Sequence, residues 1–224
     1  MSEPEPGEFV ARLSPADVAE LMRRGRRRQY PQGASLYLEG ESCSTVIVVL
    51  SGRVKVLSLT EEGEEVLLAV RGPGALLGEL SAVDGAPRSA SIAALEPVVA
   101  LVVPTKAFVD FLRSHGDAAI ALLQLITGRL RDADRKRVEV AAFDIPARVA
   151  RRLVELADRF GEPDARGVRI AVALSQDELA GYVGASREAV AKALRVLRDR
   201  GLVSTGRRTL TVLDPDGLRR RAGT

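Results

Sequence analysis

Leu174-Ser175-Gln176-Asp177-Glu178-Leu179-Ala180-Gly181-Tyr182-Val183-Gly184-Ala185-Ser186-Arg187-Glu188-Ala189-Val190-Ala191-Lys192-Ala193-Leu194 decides how this chain is read. Ser175 followed by Glu178 has the spacing of a capping box, in which a hydroxyl and a carboxylate satisfy each other's orphan amides at a helix start. Leu179 and Ala180 carry the core face of that first helix. Tyr182-Val183-Gly184-Ala185 reads as a tight turn. Ser186 caps a second helix, with Ala189, Val190, Ala193, Leu194 and Leu197 on its inner side. This cap-to-cap interval predicts a helix-turn-helix, whose second helix enters a major groove. Arg187, Glu188 and Lys192 are left facing outward. Arginine and lysine read guanine O6/N7, and a carboxylate accepts from the cytosine amino group. Ser175 and Ser186 are placed to donate to phosphates. Downstream, Leu202-Val203-Ser204 and Thr209-Leu210-Thr211-Val212 flank Gly206-Arg207-Arg208, a predicted hairpin wing with a basic tip that adds Arg208 to the DNA-facing residues.

Charge follows the same division. The net charge is +3, but residues 1–144 hold 17 Lys+Arg against 20 Asp+Glu, and residues 145–224 hold 16 against 10. The positive excess lies in the C-terminal third, as a polyanion partner requires. One cysteine, Cys43, excludes an internal disulfide or an all-cysteine cluster, and one histidine, His115, leaves little scope for zinc or a Ser-His-Asp triad. Cys43 is expected at a strand edge and His115 at a helix end. There is no nucleophile–base pair and no Walker-type loop, so an enzyme is not expected. No apolar run approaches a membrane span. Met1 to Phe9 has neither a basic start nor an apolar core, so a cytoplasmic protein is expected.

Upstream of the helix-turn-helix the periodicity changes twice. Ser14-Pro15 starts a helix with Val18, Leu21 and Met22 on its apolar face. Arg23-Arg24-Gly25-Arg26-Arg27-Arg28 then reads as a solvated helix end. From Tyr30 to Val103 short period-two runs alternate with Gly and Pro: 45–50, 53–57, 66–70, 91–93 and 98–103, with a turn at Glu61-Glu62-Gly63. They predict a β-roll, barrel or sandwich. After Pro104, Thr105 caps a short helix. A helix of about 27 residues follows from Asp117 to Phe143, with Ala119, Leu122, Ile126, Leu130, Ala133 and Val140 spaced like a coiled-coil seam. So long a helix needs a partner, most simply its own copy. Asp144-Ile145-Pro146 breaks it. A helix over 147–160, a Gly/Pro loop and a strand at 168–172 lead into the opening stretch. The expected class is α+β: a β-roll domain over 1–116, a dimerisation helix over 117–143 and a winged helix-turn-helix over 144–224.

Within the β-roll, Gly78-Glu79-Leu80 is followed after seven residues by Arg88-Ser89-Ala90. Gly78 permits close backbone approach, Arg88 offers a forked cation for a phosphate and Ser89 a hydroxyl. Glu79 is able to accept from a ribose hydroxyl.

Both stretches resemble one family. Leu174–Ala180, Val183–Val190 and Lys192–Leu194 look like the winged helix of the CRP/FNR regulators, and Gly78-Glu79-Leu80 with Arg88-Ser89-Ala90 is similar to the phosphate-binding cassette of cyclic-nucleotide-binding domains. The resemblance implies a homodimeric transcription regulator that reads a TGTGA-like inverted repeat through Arg187, Glu188 and Lys192. It implies a cyclic nucleotide effector (cAMP or cGMP) and RNA polymerase as a partner. Gly78 and Leu80 would then shape the cassette, Glu79 take the 2′-hydroxyl, and Arg88 and Ser89 bind the cyclic phosphate. Where the cAMP-responsive pattern has a Thr-Ser pair for adenine, this chain has Ala133 and Asp134. Ionised Asp134 only accepts hydrogen bonds. The effector base is therefore open, and a regulator of the same fold that works without a nucleotide, or on another effector, is the alternative.

Overall fold

Thr45-Val46-Ile47-Val48-Val49-Leu50 is apolar from its second position to its last, so a strand built from it must be covered on both faces. The computed structural model provides that cover. It describes residues 2–42, 44–60, 63, 65–206 and 209–223, and falls into two units, Met1–Asp132 and Ala133–Thr224.

The first unit opens with α1 (Pro15–Arg23), where the Ser14 side chain accepts from the Asp17 amide and Pro15 takes the first helical position. The strands follow: β1 (Arg26–Tyr30), β2 (Ser35–Tyr37), β3 (Thr45–Ser51), β4 (Val54–Leu59), β5 (Glu65–Arg71) and β6 (Leu76–Leu77), then the short helix α2 (Glu79–Asp84), β7 (Ser91–Ala94) and β8 (Val98–Pro104). They form two antiparallel sheets, ordered β1-β8-β3-β6 and β2-β7-β4-β5. Ile47 and Val49 of β3 join Tyr30, Tyr37, Val54, Ile92 and Ala100 in one core. The alternate residues Val46, Val48 and Leu50 join a second core with Phe9, Leu21, Leu101, Phe108 and Phe111. Period two and burial on both faces thus make β3 the central strand.

Helix α3 (Thr105–Ser114) supplies Phe108 and Phe111 to the second core, and α4 (Gly116–Ala142) supplies Ala118, Ala121, Leu122 and Leu125. Their i, i+3, i+4, i+7 spacing is one helical face. The seam read from the sequence is corrected here. Leu122 is buried in this core and Ile126 packs against it, whereas the outward apolar face carries Ile120, Leu123, Leu130 and Val138, with Leu123 59% and Leu130 60% exposed. Two apolar stripes share one helix, and counting threes and fours merges them. The division between the units falls within α4.

Other expectations shift locally. Arg26, Arg27 and Arg28 are exposed, but on β1 beside β8 rather than at a helix end. Gly25 lies so close to Leu101 and the Val102 carbonyl that a Cβ there would meet them at 2.7–2.9 Å. Thr105 is the first residue of α3, and Pro104 occupies the cap position with no side-chain bond. His115 does end α3, stacked on Phe111 at 4.7 Å between ring centroids. Cys43 and the turn residues Glu61 and Glu62 lie outside the described residues.

The second unit contains α5 (Ile145–Phe160), β9 (Gly161–Asp164), β10 (Gly167–Ile170), α6 (Gln176–Val183), α7 (Arg187–Asp199), β11 (Val203–Gly206), β12 (Thr209–Val212) and α8 (Pro215–Ala222), with the sheet ordered β11-β12-β10-β9. Asp144 caps α5 through the Ala147 amide at 2.8 Å. Val149, Leu153, Leu156 and Phe160 form its buried face. The expected Gly/Pro loop after α5 is instead β9, a fully exposed strand held by pairing with β10. Helix α8 has no counterpart in the sequence reading. Among the described residues no helix is long and apolar enough to cross a membrane.

Phe108 is fully buried and meets Phe9 edge-on at 6.3 Å. Phe108→Ala is expected to cost about 3–5 kcal/mol in urea unfolding. A loss below about 1 kcal/mol would contradict this core.

Candidate functional site

The cassette begins where β6 ends. Gly78 has φ +78° and precedes α2, and a Cβ there would sit 2.1 Å from Arg88 Nη1. Glycine is thus required both by the backbone and by the guanidinium above it. Arg88 is 4% exposed. Its Nη1 donates to the Gly78 carbonyl at 3.0 Å, its Nη2 donates to the Thr45 carbonyl, and its Cζ lies 3.7 Å from the Tyr37 ring centroid. Tyr37 in turn donates its hydroxyl to the Thr45 carbonyl at 2.9 Å. The main chain of Arg88 is pinned to the loop after β2, its N–H donating to Glu41 O at 2.8 Å and its carbonyl accepting from Gly40 N at 2.9 Å. Among the described residues no carboxylate pairs with Arg88, and its Nε is buried without a hydrogen bond. A buried guanidinium with only neutral acceptors leaves its charge uncompensated, a state that an anion relieves.

Glu79, next to Gly78, is also 4% exposed and accepts from Arg129 Nη1 at 2.6 Å. Leu80 and Ser89 are exposed. Buried Glu79 and buried Arg88 thus flank the half-buried Gly78, with Leu80 and Ser89 exposed beside them. Asp134 belongs to the other unit, exposed on α4 and 3.8 Å from Arg137 one turn on. Sequence reading missed Arg129, Tyr37 and Thr45. Arg129 had a signal, being a lone cation among Leu125, Ile126 and Leu130. Tyr37 and Thr45 had none.

In the second unit Ser175 forms the full capping box: Glu178 N donates to its Oγ at 3.1 Å and Ser175 N donates to Glu178 Oε2 at 2.7 Å. Tyr182 and Val183 remain helical, so the expected four-residue turn is narrower. Gly184, at φ +71°, carries it and returns its N–H to Ala180 O at 2.9 Å. Ser186 accepts from Ala189 N at 3.3 Å and opens α7. Both serine oxygens accept from backbone amides, and each hydroxyl keeps its hydrogen for another acceptor. Arg187, Glu188 and Lys192 are exposed, with Arg187 Nη1 3.5 Å from Asp177 Oδ1. Arg195, three residues beyond Lys192 and also exposed, was missed. Arg198 donates to Thr205 Oγ1 at 2.8 Å, tying α7 to β11. Arg208 lies outside the described residues.

A buried ionic cluster joins the last turns of α4 to this motif. Glu139 is 5% exposed and is gripped by Arg151 Nη1 at 3.1 Å and by Arg152 Nη2. Arg152 also pairs with Glu155, which accepts from the Tyr182 hydroxyl at 2.7 Å. Burial opposes the charged form of Glu155, but Lys136, Arg152, the Tyr182 hydroxyl and Arg159 outweigh it and hold its carboxyl below the usual range. Burial, then the Glu155 carboxylate, push the Tyr182 hydroxyl far up, so it stays a donor. At the junction Asp144 is held low by the Ala147 amide first and Arg221 second, the guanidinium donating to both carboxylate oxygens at 2.7 Å.

A β-roll with a buried, uncompensated arginine and a capped helix-turn-helix define a class of effector-sensing DNA-binding proteins. Residues 27–115 match the cyclic nucleotide-binding domain and residues 147–221 the Crp-like helix-turn-helix domain. The chain is 32% identical over 210 residues to a CRP-like cAMP-activated global transcriptional regulator of Mycobacterium tuberculosis, covering 94% of each. It is 32% identical over 200 residues to the cyclic AMP receptor protein of Thermus thermophilus, covering 89% of each. A solved CRP-family transcriptional regulator, also from Thermus thermophilus, superposes with a TM-score of 0.75 at 27% identity, over 88% of this chain and 97% of that one. The chain belongs to the CRP/FNR family of transcription regulators, with a cyclic nucleotide-binding domain and a DNA-binding helix-turn-helix.

Because the Asp144 carboxyl is depressed when folded, its contribution to stability is complete above its unfolded value of about 3.9 and is lost as pH falls through the folded value. Asp144→Asn is expected to be less stable than wild type near pH 7 and to lose less on acidification to about pH 3 in thermal melts. Parallel curves for the two proteins would contradict that role.

Proposed function

We propose that this regulator is a homodimer whose sequence-specific DNA binding is controlled by a cyclic nucleotide, cAMP or cGMP, seated on the β-roll. The observation that carries the reading is Arg88, buried on two carbonyls and an aromatic ring with no carboxylate among the described residues to pair it. A cyclic phosphate supplies the missing charge, with Ser89 adding a hydroxyl donor. Gly78 and Leu80 shape the cassette and Glu79 takes the 2′-hydroxyl. Ionised Asp134 is assigned to the base, where it suits the adenine amino group or a guanine N–H edge. The relatives named as cAMP-activated or as a cyclic AMP receptor favour adenine.

The dimer is assigned to the outward face of α4, where Ile120, Leu123, Leu130 and Val138 stay exposed outside the chain's own core. Residues 1–116, 117–143 and 144–224 act as sensor, coupling helix and reader. Arg187, Glu188 and Lys192 read base edges of a TGTGA-like half-site, while Ser175, Ser186 and the wing-tip Arg208 hold phosphates. Two-fold symmetry then gives an inverted repeat with half-sites about one helical turn apart. Ligand acts only through its differential affinity for two states of the dimer, with the junction at Asp144 as the hinge. The protein works in the cytoplasm beside RNA polymerase. A second reading, a regulator of the same fold that binds DNA without a nucleotide, is favoured by Ala133, which offers no side-chain hydrogen bond to a base.

Calorimetric titration of the purified protein with cAMP and with cGMP, each with and without a TGTGA–N6–TCACA duplex, tests the reading. Binding of one nucleotide that also tightens the duplex is expected. Arg187→Ala is expected to weaken duplex binding by about 1–3 kcal/mol and relax specificity at one base pair. Tight duplex binding with no response to either nucleotide would leave the second reading.

A further inference from the structure

The residues before α1 lie outside the region matched by the cyclic nucleotide-binding domain, yet they are fastened to the loop that leads into the cassette. Glu5 N donates to Pro73 O at 2.8 Å and Val10 N donates to Gly74 O at 3.1 Å. Pro4 covers Gly74 so closely that a Cβ there would meet it at 2.8 Å. Phe9 is fully buried and anchors the segment in the core. Beside Phe9, the Glu8 carboxylate is 5% exposed and turns inward. Its Oε1 lies 3.9 Å from Arg71 Nε and its Oε2 lies 3.7 Å from Arg129 Nη2.

Arg129 is therefore shared by two buried carboxylates. Its Nη1 donates to Glu79 Oε1 at 2.6 Å, while its Nη2 donates to the Leu76 carbonyl at 3.0 Å and lies 3.7 Å from Glu8 Oε2, an ion-pair distance without a hydrogen bond. The natural bond between an arginine and a single carboxylate is a two-pronged fork that occupies both oxygens. Here the second prong is drawn away, and Glu79 Oε2 stays outside the pair.

We propose that Glu8 is a positioning residue for ribose recognition: by sharing Arg129 with Glu79, it keeps one Glu79 oxygen open for the 2′-hydroxyl of the bound nucleotide. The inference rests on the nucleotide reading above and deepens it. The N-terminal segment thereby belongs to the ligand site without touching the ligand. Removing the Glu8 charge lets Arg129 close both prongs on Glu79 and withdraws the acceptor. Removing Arg71 instead strengthens the pull of Glu8 on Arg129 and leaves the acceptor open.

The test is calorimetry on the full-length protein with cAMP and 2′-deoxy-cAMP (and the cGMP pair if cGMP is the ligand that binds), comparing wild type, Glu8→Gln and Arg71→Gln. A hydrogen bond from the hydroxyl to a carboxylate is worth about 10-fold or more in affinity, so wild type is expected to prefer the ribonucleotide by at least that factor. In Glu8→Gln the preference is expected to shrink below about 3-fold, through loss of affinity for cAMP and not for the deoxy analogue, an asymmetry that general loosening of the fold does not produce. In Arg71→Gln the preference is retained or raised, and this arm decides the matter should Glu8→Gln fail to fold. An unchanged preference in Glu8→Gln, or a lost one in Arg71→Gln, overturns the inference and leaves the nucleotide reading intact. If wild type binds neither nucleotide, the nucleotide reading itself fails and the role of Glu8 falls with it.

Discussion

The Arg88 guanidinium is held out of water between the Tyr37 ring, the Gly78 carbonyl and the Thr45 carbonyl, with no counter-charge paired to it among the described residues. Desolvating a cation costs several kcal/mol even after relaxation, and two carbonyls with one aromatic face offset only part of that. The surrounding structure makes the arrangement possible. Tyr37 reaches it from β2, Thr45 opens the central strand β3, and Gly78 has no Cβ to collide with it. The two carbonyls are also not dependent on Arg88, since Gly78 O accepts from Ala82 N and Thr45 O from the Tyr37 hydroxyl. A site whose geometry is complete but whose charge is not is the ground on which an anion is proposed there.

Glu8, Glu79, Glu139 and Arg152 obey a different rule, whereas Arg148, 8% exposed, is a second buried guanidinium whose Nε lacks a hydrogen bond. Glu79, Glu8, Arg71 and Arg129 balance one another in the first unit, as do Glu139, Glu155, Arg151 and Arg152 in the second. Balanced clusters contribute little net stability against apolar replacements, but breaking one member leaves a buried charge that bears the full desolvation cost. Such clusters fix relative placement. The second one ties the final turns of α4 to α5 and, through the Tyr182 hydroxyl, to the first helix of the DNA-reading motif. One cluster lies beside Gly78 at the start of α2, the other at the junction that ends in Asp144.

Local rules made much of this legible from the sequence. Capping chemistry located the starts of α6 and α7 to the residue, because Ser175, Glu178 and Ser186 act within three positions of themselves, whereas the end of α6 runs two residues further than read. Period two located β3, β4, β5 and β8. The cassette was recognisable because glycine, glutamate and arginine occur at a fixed spacing. What stayed hidden depended on distant partners. Gly161–Asp164 is exposed throughout and forms a strand only because β10 lies beside it. The two stripes of α4 separate only once the β-sheet claims one of them. Arg129 and Glu8 are far apart in sequence from Glu79, and no periodicity announces a charge partner of that kind.

The most direct measurement compares thermal stability of wild type and Arg88→Met with and without saturating cyclic nucleotide. If Arg88 is an uncompensated charge awaiting a phosphate, the ligand-free variant is expected to match or exceed wild type, since the lost cation leaves no orphaned carbonyl. Nucleotide at about 100 times its Kd is expected to stabilise wild type by about 2.7 kcal/mol and the variant not at all. A variant that melts well below wild type without ligand, yet keeps the full ligand-induced shift, would show that Arg88 is a structural cation and not the anion site.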